Sequence, residues 1–67
     1  MVMITSKGKL TKIKDVYVLE STHGVRYTAL NKGGELVGLD QYDNEYKLTA
    51  FVRHMFKVAI EESTNKL

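Results

Sequence analysis

Two histidines, His23 and His54, are the side chains with the widest chemical use in this 67-residue sequence. The sequence has no cysteine, so a metal site would have to recruit carboxylate ligands beside these imidazoles. His54 lies in the one segment with helical periodicity, and neither a His-x-x-x-His nor a Glu-x-x-His pair occurs there. The sequence therefore predicts no metal site and no cofactor.

Other residues with catalytic or ligand-binding character lack the context that such motifs need. Ser21, His23 and Asp15 supply the side chains of a catalytic triad, but no nucleophile-elbow pattern surrounds the serine. Gly33 and Gly34 lie between two predicted strands rather than before a helix, which is typical of a hairpin turn and not of a phosphate-binding loop. We therefore predict that the protein is not an enzyme and has no small-molecule substrate.

The composition predicts a single folded domain over residues 1–67, with the last few residues, about 64–67, frayed. Hydrophobic residues make up 43% of the chain and charged residues 27%, which is a globular balance rather than a disordered one. A core of this size is marginal without disulfides, so self-association is an expected source of stability. Because no apolar run reaches signal-peptide or membrane-span length, we expect a cytoplasmic protein without membrane contacts.

The net charge is only +2, but the basic residues are concentrated in the first half of the chain. Lysines at every second or third position near the N-terminus are compatible with phosphate contacts. They are also typical of an edge strand that is protected from aggregation, which is the favoured interpretation. The side chains available for nucleic-acid contacts are Lys7, Lys9, Lys12, Lys14, Arg26 and Lys32.

β-Branched residues and turn signals before residue 40 predict short antiparallel strands. The longest of them has apolar residues on both faces between Val16 and Leu19, with Ile13 expected on the same face as Leu19, and a bulge near Lys12. A strand of this kind is covered on two sides. The predicted strands are residues 2–5, 10–21, 25–30 and 35–39.

One helix is predicted over residues 46–62, with Asp43 as its N-cap and Glu45 in its first turn. Its apolar arc covers roughly 200°, twice the about 100° of an ordinary surface helix. The centre of the arc consists of Leu48, Val52, Met55 and Ala59. The predicted fold is α+β: a small antiparallel meander of three or four strands packed on one C-terminal helix.

One helix covers one face of such a sheet, so the second face and the surplus arc of the helix need a partner. We expect a homo-oligomer, with a dimer favoured, or a complex with another protein. The expected interface combines the shoulders of the helix with two residues of the longest strand. These residues are Phe51, Phe56, Val58, Ile60, Tyr17 and Leu19.

The first functional hypothesis is a small non-enzymatic intracellular protein that binds and regulates through protein–protein contacts. Such a protein would self-associate and act as a regulator or inhibitor in the style of those encoded by phages and mobile elements.

The second hypothesis is nucleic-acid binding through the sheet. Three strands followed by a helix, over residues 16–62, are similar in outline to the arm-binding domains of phage-type integrases, which lay a sheet into the major groove. The similarity covers the order of elements only. It implies a basic sheet face, for which the candidates are Lys12, Lys14, Arg26 and Lys32.

Overall fold

The computed structural model describes residues 2–65, which form an antiparallel sheet followed by one helix. The elements are β1 (Val2–Thr5), β2 (Gly8–Ile13), β3 (Val16–Ser21), β4 (Arg26–Lys32), β5 (Glu35–Leu39), β6 (Glu45–Tyr46) and α1 (Ala50–Asn65). The strands lie in the sheet in chain order, as a meander. The predicted α+β fold is confirmed, with six strands in the described residues instead of three or four. Of the residues predicted to fray, 66 and 67 lie outside the described residues, while 64 and 65 end α1.

The predicted long strand is two strands joined by a turn. Lys14 has a φ of 54°, and the chain reverses at Lys14 and Asp15, so that Ile13 pairs with Val16. The backbone N–H of Asn31 donates to the Asp15 carbonyl oxygen at 2.8 Å, which ties this turn to the end of β4. The predicted bulge near Lys12 was therefore wrong, and the turn moves Ile13 to the face of the sheet opposite Leu19.

The first hairpin depends on Gly8. This residue has a φ of 132°, which residues with a side chain rarely adopt, and it pairs with Ser21 of β3. A Cβ atom at this position would overlap the Glu20 carbonyl oxygen. Gly8 therefore allows β2 to begin in close contact with β3, opposite Ser21.

The predicted start of the helix, Tyr46, lies four residues before the observed start at Ala50. Tyr46 pairs with Gly38 in the sheet, and the absence of a side chain on Gly38 makes room for the tyrosine ring. Helix α1 begins at Ala50, where the Thr49 hydroxyl accepts from the backbone N–H of Val52 at 3.2 Å. Thr49 is thus the N-cap, because its side chain satisfies an amide that the first turn leaves without a partner.

Asp43, the predicted N-cap, lies instead in a tight loop between β5 and β6 with a φ of 65°. The loop is organised by Asp40, whose carboxylate accepts from the backbone N–H groups of Tyr42 at 2.8 Å and Asn44 at 2.9 Å. Glu45, predicted in the first helical turn, lies in β6. An aspartate side chain that bonds to amides two and four residues later favours a turn over a helix.

The core lies between α1 and one face of the sheet. The helix packs most closely on β1 and β2, and near its C-terminal end the Glu62 carboxylate accepts from the backbone N–H of Ser6 at 2.8 Å and from the Ser6 hydroxyl. This contact fixes α1 to the turn between β1 and β2. The buried apolar residues are Leu10, Tyr17, Leu19, Ala29, Leu48, Met55, Phe56 and Ala59.

The two phenylalanines of α1 provide a matched test of this packing. The side chain of Phe56 is fully buried, whereas that of Phe51 is 71% exposed. Phe56→Ala should lower the free energy of unfolding by about 3–5 kcal/mol because it leaves a cavity in the core. Phe51→Ala should change it by no more than about 0.5 kcal/mol. Urea denaturation followed by circular dichroism measures both, and equal losses would contradict this packing.

The Asp40 loop predicts a specific dependence on pH. Hydrogen bonds from the backbone N–H groups of Asn44 and Tyr42 hold the pKa of the Asp40 carboxyl below its usual range. The stabilisation that the carboxylate provides is therefore complete above the ordinary aspartate pKa of about 3.9, and is lost as the pH falls through the lowered folded value.

In an NMR titration, the Asp40 carboxyl resonance should have a midpoint below about 3.9, and the Asn44 amide should shift with the same midpoint. The Asp40→Asn variant is the control, in which the amide shift should disappear. A midpoint at or above the ordinary value would show that these hydrogen bonds do not form.

Candidate interaction surface on the open sheet face

The sheet face opposite α1, called the open face here, is covered by no other element among residues 2–65. Because side chains alternate along each strand, residues next to the core residues Leu10, Leu19 and Ala29 point to this side. Cross-strand partners share a face, so the register of the sheet defines which residues form each row on it.

The middle of the open face consists of two rows that are almost free of charge. In the first, the apolar row, Ile13 pairs with Val16, Val16 with Leu30, and Leu30 with Val37, so that four strands contribute one apolar side chain each. In the second, the valine–threonine row, the cross-strand neighbours are Val2, Thr11, Val18 and Thr28. Leu39 extends this apolar region along β5.

Charged residues border these two rows. On one side lies the charged row, in which the cross-strand neighbours are Ile4, Lys9, Glu20 and Arg26. The signs of the last three side chains alternate, and the Arg26 guanidinium lies 3.7 Å from the Glu20 carboxylate. On the other side, Lys32 pairs with Glu35 at the end of the β4–β5 hairpin. The apolar rows are therefore bounded along both sides.

Apolar side chains on the open face remain accessible to solvent. Ile4 is 67% exposed and Ile13 is 62% exposed, while Val16, Val18 and Leu30 are half-buried by their neighbours. With strands about 4.8 Å apart and a rise of about 3.3 Å per residue, four strands give a footprint of roughly 20 Å by 20 Å. Soluble monomers rarely expose a continuous apolar patch larger than a few hundred Å², so this face is a candidate binding surface.

The predicted interface residues are divided between the core and the surface. Tyr17, Leu19 and Phe56 are buried between the sheet and α1, so they do not contribute to an exposed surface of the folded chain. Their assignment to an interface is corrected here. Ile60 packs against the core, Val58 is half-buried, and Phe51 is well exposed at the start of α1.

The predicted nucleic-acid residues do not lie on one surface. Lys9, Arg26 and Lys32 are on the open face, but Arg26 pairs with Glu20, and the Lys32 ammonium lies 3.2 Å from the Glu45 carboxylate. Lys12 lies on the face that packs on α1, with its ammonium 5.6 Å from the centre of the Tyr17 ring. Lys7 and Lys14 are in the two turns that flank β2. The structure therefore divides these cations between both faces and two turns.

The residues with catalytic potential are also separated. Asp15 precedes β3 and Ser21 ends it, so roughly 20 Å of extended chain lies between them. The Ser21 hydroxyl accepts from the backbone N–H groups of His23 and Val25 and shapes the β3–β4 turn. His54 is exposed on α1. Within residues 2–65, no group of three or more histidine, aspartate and glutamate side chains is placed to hold a metal ion.

A cleft of about 630 Å³ lies on the other face, between α1 and the β4–β5 hairpin. Leu36 and Ile60 are among the apolar residues that line it, beside Tyr17. Its charged side chains balance, since Arg53 and Lys57 are matched by Glu35 and Glu61. The cleft therefore has no net charge that selects a ligand, and the open face is the better-defined surface.

The sequence predicted apolar residues on both faces of β3 and a second face in need of a partner, but the interface residues were assigned to the helix shoulders and to Tyr17 and Leu19. The missed residues are the partners of Val16 and Val18 on the neighbouring strands. Their signal in the sequence was the spacing of two residues between Thr28 and Leu30 and between Val37 and Leu39. This spacing places both residues of each pair on the same face of a strand. The register needed to align these residues with β3 depends on the turns and was not available from the sequence.

Val18 and Leu19 are neighbours in β3 that point to opposite faces, and they test this assignment. Val18→Lys should lower the free energy of unfolding by no more than about 1 kcal/mol, because the open face lets the ammonium reach water. Leu19→Lys should unfold the domain, because Leu19 has no exposed surface and a lysine there would bury a charge. Urea denaturation at low micromolar concentration, where association is minimal, measures the difference. A severe loss in Val18→Lys would show that this face is core.

No protein-family model, curated protein or solved structure matches this chain. Among the described residues, α1 falls short of the length and apolar character that a membrane-spanning helix requires. The arguments for function therefore rest on the geometry of the open face.

Proposed function

We propose that this chain is a small non-enzymatic binding protein that regulates a partner through protein–protein contacts made by its open sheet face. The observation that carries this proposal is the apolar row of Ile13, Val16, Leu30 and Val37, which crosses four strands without cover from any other element among residues 2–65. In this proposal, the chain acts by occupying a surface on its partner. An intracellular regulator or inhibitor is the role that fits this architecture.

Burial of the open face supplies the driving force for binding. Each Å² of apolar surface removed from water contributes about 25 cal/mol before the costs of association. The strands already restrict the branched side chains of Val16, Val18 and Leu30. These side chains therefore lose little conformational freedom on binding. The bordering charged residues provide the polar rim that distinguishes a specific interface from a general hydrophobic surface.

Nucleic-acid binding has less support in this geometry. The phosphate backbone attracts a continuous set of cations, and binding of that kind weakens steeply with salt. Here Lys12 lies on the opposite face from Arg26 and Lys32, and the latter two have carboxylate partners. The apolar rows occupy the centre of the face that would have to contact phosphates.

Site-specific photo-crosslinking tests the proposal. A photoreactive benzoyl-phenylalanine placed at Val18, at the centre of the open face, should form covalent adducts with protein when the full chain is irradiated inside expressing cells. The same probe at His54, on the exposed side of α1, is the control and should give at most a small fraction of that yield. Circular dichroism of both labelled proteins verifies that they are folded.

Adducts are detected by electrophoresis and assigned by mass spectrometry. An adduct of Val18 with protein supports a protein-binding open face. Equal yields at the two positions, or no protein adduct at Val18, would contradict the proposal. Nucleic-acid adducts at Val18 in place of protein adducts would favour the alternative function.

A further inference from the structure

We infer that the partner of the open face is a second copy of this chain, related by a two-fold axis that runs parallel to the strands and passes between β3 and β4. This inference rests on the proposed function and names the occupant of the same surface. Its basis is that the apolar row, the Val18–Thr28 pair and the Glu20–Arg26 pair are each self-complementary about this one line.

The apolar row is symmetric about the line between β3 and β4. Rotation about that axis keeps each row in place and exchanges β3 with β4 and β2 with β5. Val16 of one copy then faces Leu30 of the other, and Ile13 faces Val37. All four apolar side chains of the row are thereby covered by apolar side chains, as in a sandwich of two aligned sheets.

The neighbouring rows agree with the same axis. In the valine–threonine row, Val18 faces Thr28 of the second copy. Valine and threonine side chains have the same shape, so the two pack against each other through their methyl groups. In the charged row, Glu20 faces Arg26 of the second copy, and each of these side chains already has the other as its neighbour within the chain. The two copies would therefore form a four-residue network of alternating charge.

Charge also excludes the nearest alternative positions of the axis. An axis lying over β3 would place Glu20 opposite Glu20 of the second copy. An axis lying over β4 would do the same with Arg26. Like charges in direct opposition across an interface are strongly disfavoured, so the charged row selects the line between the two strands.

The size of the face fits a second copy. Two footprints of roughly 20 Å by 20 Å, increased by the relief of the side chains, reach about 1,000 Å², the lower bound for a specific interface. A flat face lined by branched residues matches another flat face of the same kind, at the spacing of about 10 Å found between packed sheets. A second copy supplies that face without any change of shape.

Analytical ultracentrifugation of the full chain from ~1 to ~500 µM measures the dissociation constant. The wild type should pass from monomer to dimer, and Val18→Lys should raise the dissociation constant at least tenfold. Charge exchange then tests the axis. Glu20→Arg alone and Arg26→Glu alone should each weaken the homodimer at least fivefold, because each places like charges across the axis.

An equimolar mixture of Glu20→Arg and Arg26→Glu should form a heterodimer with a dissociation constant within about twofold of the wild type, since opposite charges then face each other at both pairs. Glu61→Arg and Lys57→Glu are the matched controls. They change the net charge by the same amounts on exposed positions of α1 and should leave dimerisation unchanged.

A chain that stays monomeric throughout this concentration range would overturn the inference of a second copy. Adducts of the Val18 probe with a different protein would, in that case, leave the proposed binding function standing. A homodimer whose charge-exchange mixture is no tighter than either variant alone would overturn the two-fold axis between β3 and β4. Absence of any protein adduct at Val18 would instead reject the proposed function itself.

Discussion

The packing of α1 across a single face of the sheet is the interaction on which the rest of this structure depends. Phe56 and Ala59 have no exposed surface, and they belong to the same buried cluster as Leu10 and Leu19 of the sheet. A helix of 16 residues is about 24 Å long, which is enough to cross one side of the sheet but leaves the other side uncovered. The apolar residues of the open face therefore stay exposed among residues 2–65, which contain no second element that could cover them.

The fold class and the faces of β4 could be predicted because they depend on local patterns. Alternation through residues 25–30 places Tyr27 and Ala29 on one face of the strand, and in the sheet both lie on the face that packs on α1. The face of Ile13 could not be predicted, because it depends on whether the chain continues or reverses at Lys14. A lysine–aspartate pair is a weaker turn signal than an asparagine–glycine or aspartate–glycine pair. A long strand with a bulge therefore explained the same residues equally well. The unrecognised turn at Lys14 and Asp15 divides the predicted strand into two strands and moves Ile13 to the opposite face of the sheet.

The helix illustrates a second limit of sequence patterns. A helical wheel gives the angles between side chains but not which direction faces the sheet, so Phe51 and Phe56 appeared as equivalent shoulders of one arc. In the folded chain, Phe56 is fully buried and Phe51 is exposed, a difference that depends on contacts with the sheet. Thr49 caps the first turn of the helix and Glu62 binds Ser6 near the last. The candidate surface was missed for the same reason, since its rows exist only once distant strands are in register.

An exposed apolar sheet face also creates a risk of non-specific association, and the rows of the open face show how that risk is limited. Two rows without charge provide contact area but little discrimination, because a shift by one strand would still bury apolar groups. The alternating charges of Lys9, Glu20 and Arg26 make such a shift unfavourable, since they match only a partner whose charges alternate in the opposite phase. In the proposed dimer, the charged row would select the alignment, while the two uncharged rows would supply the affinity.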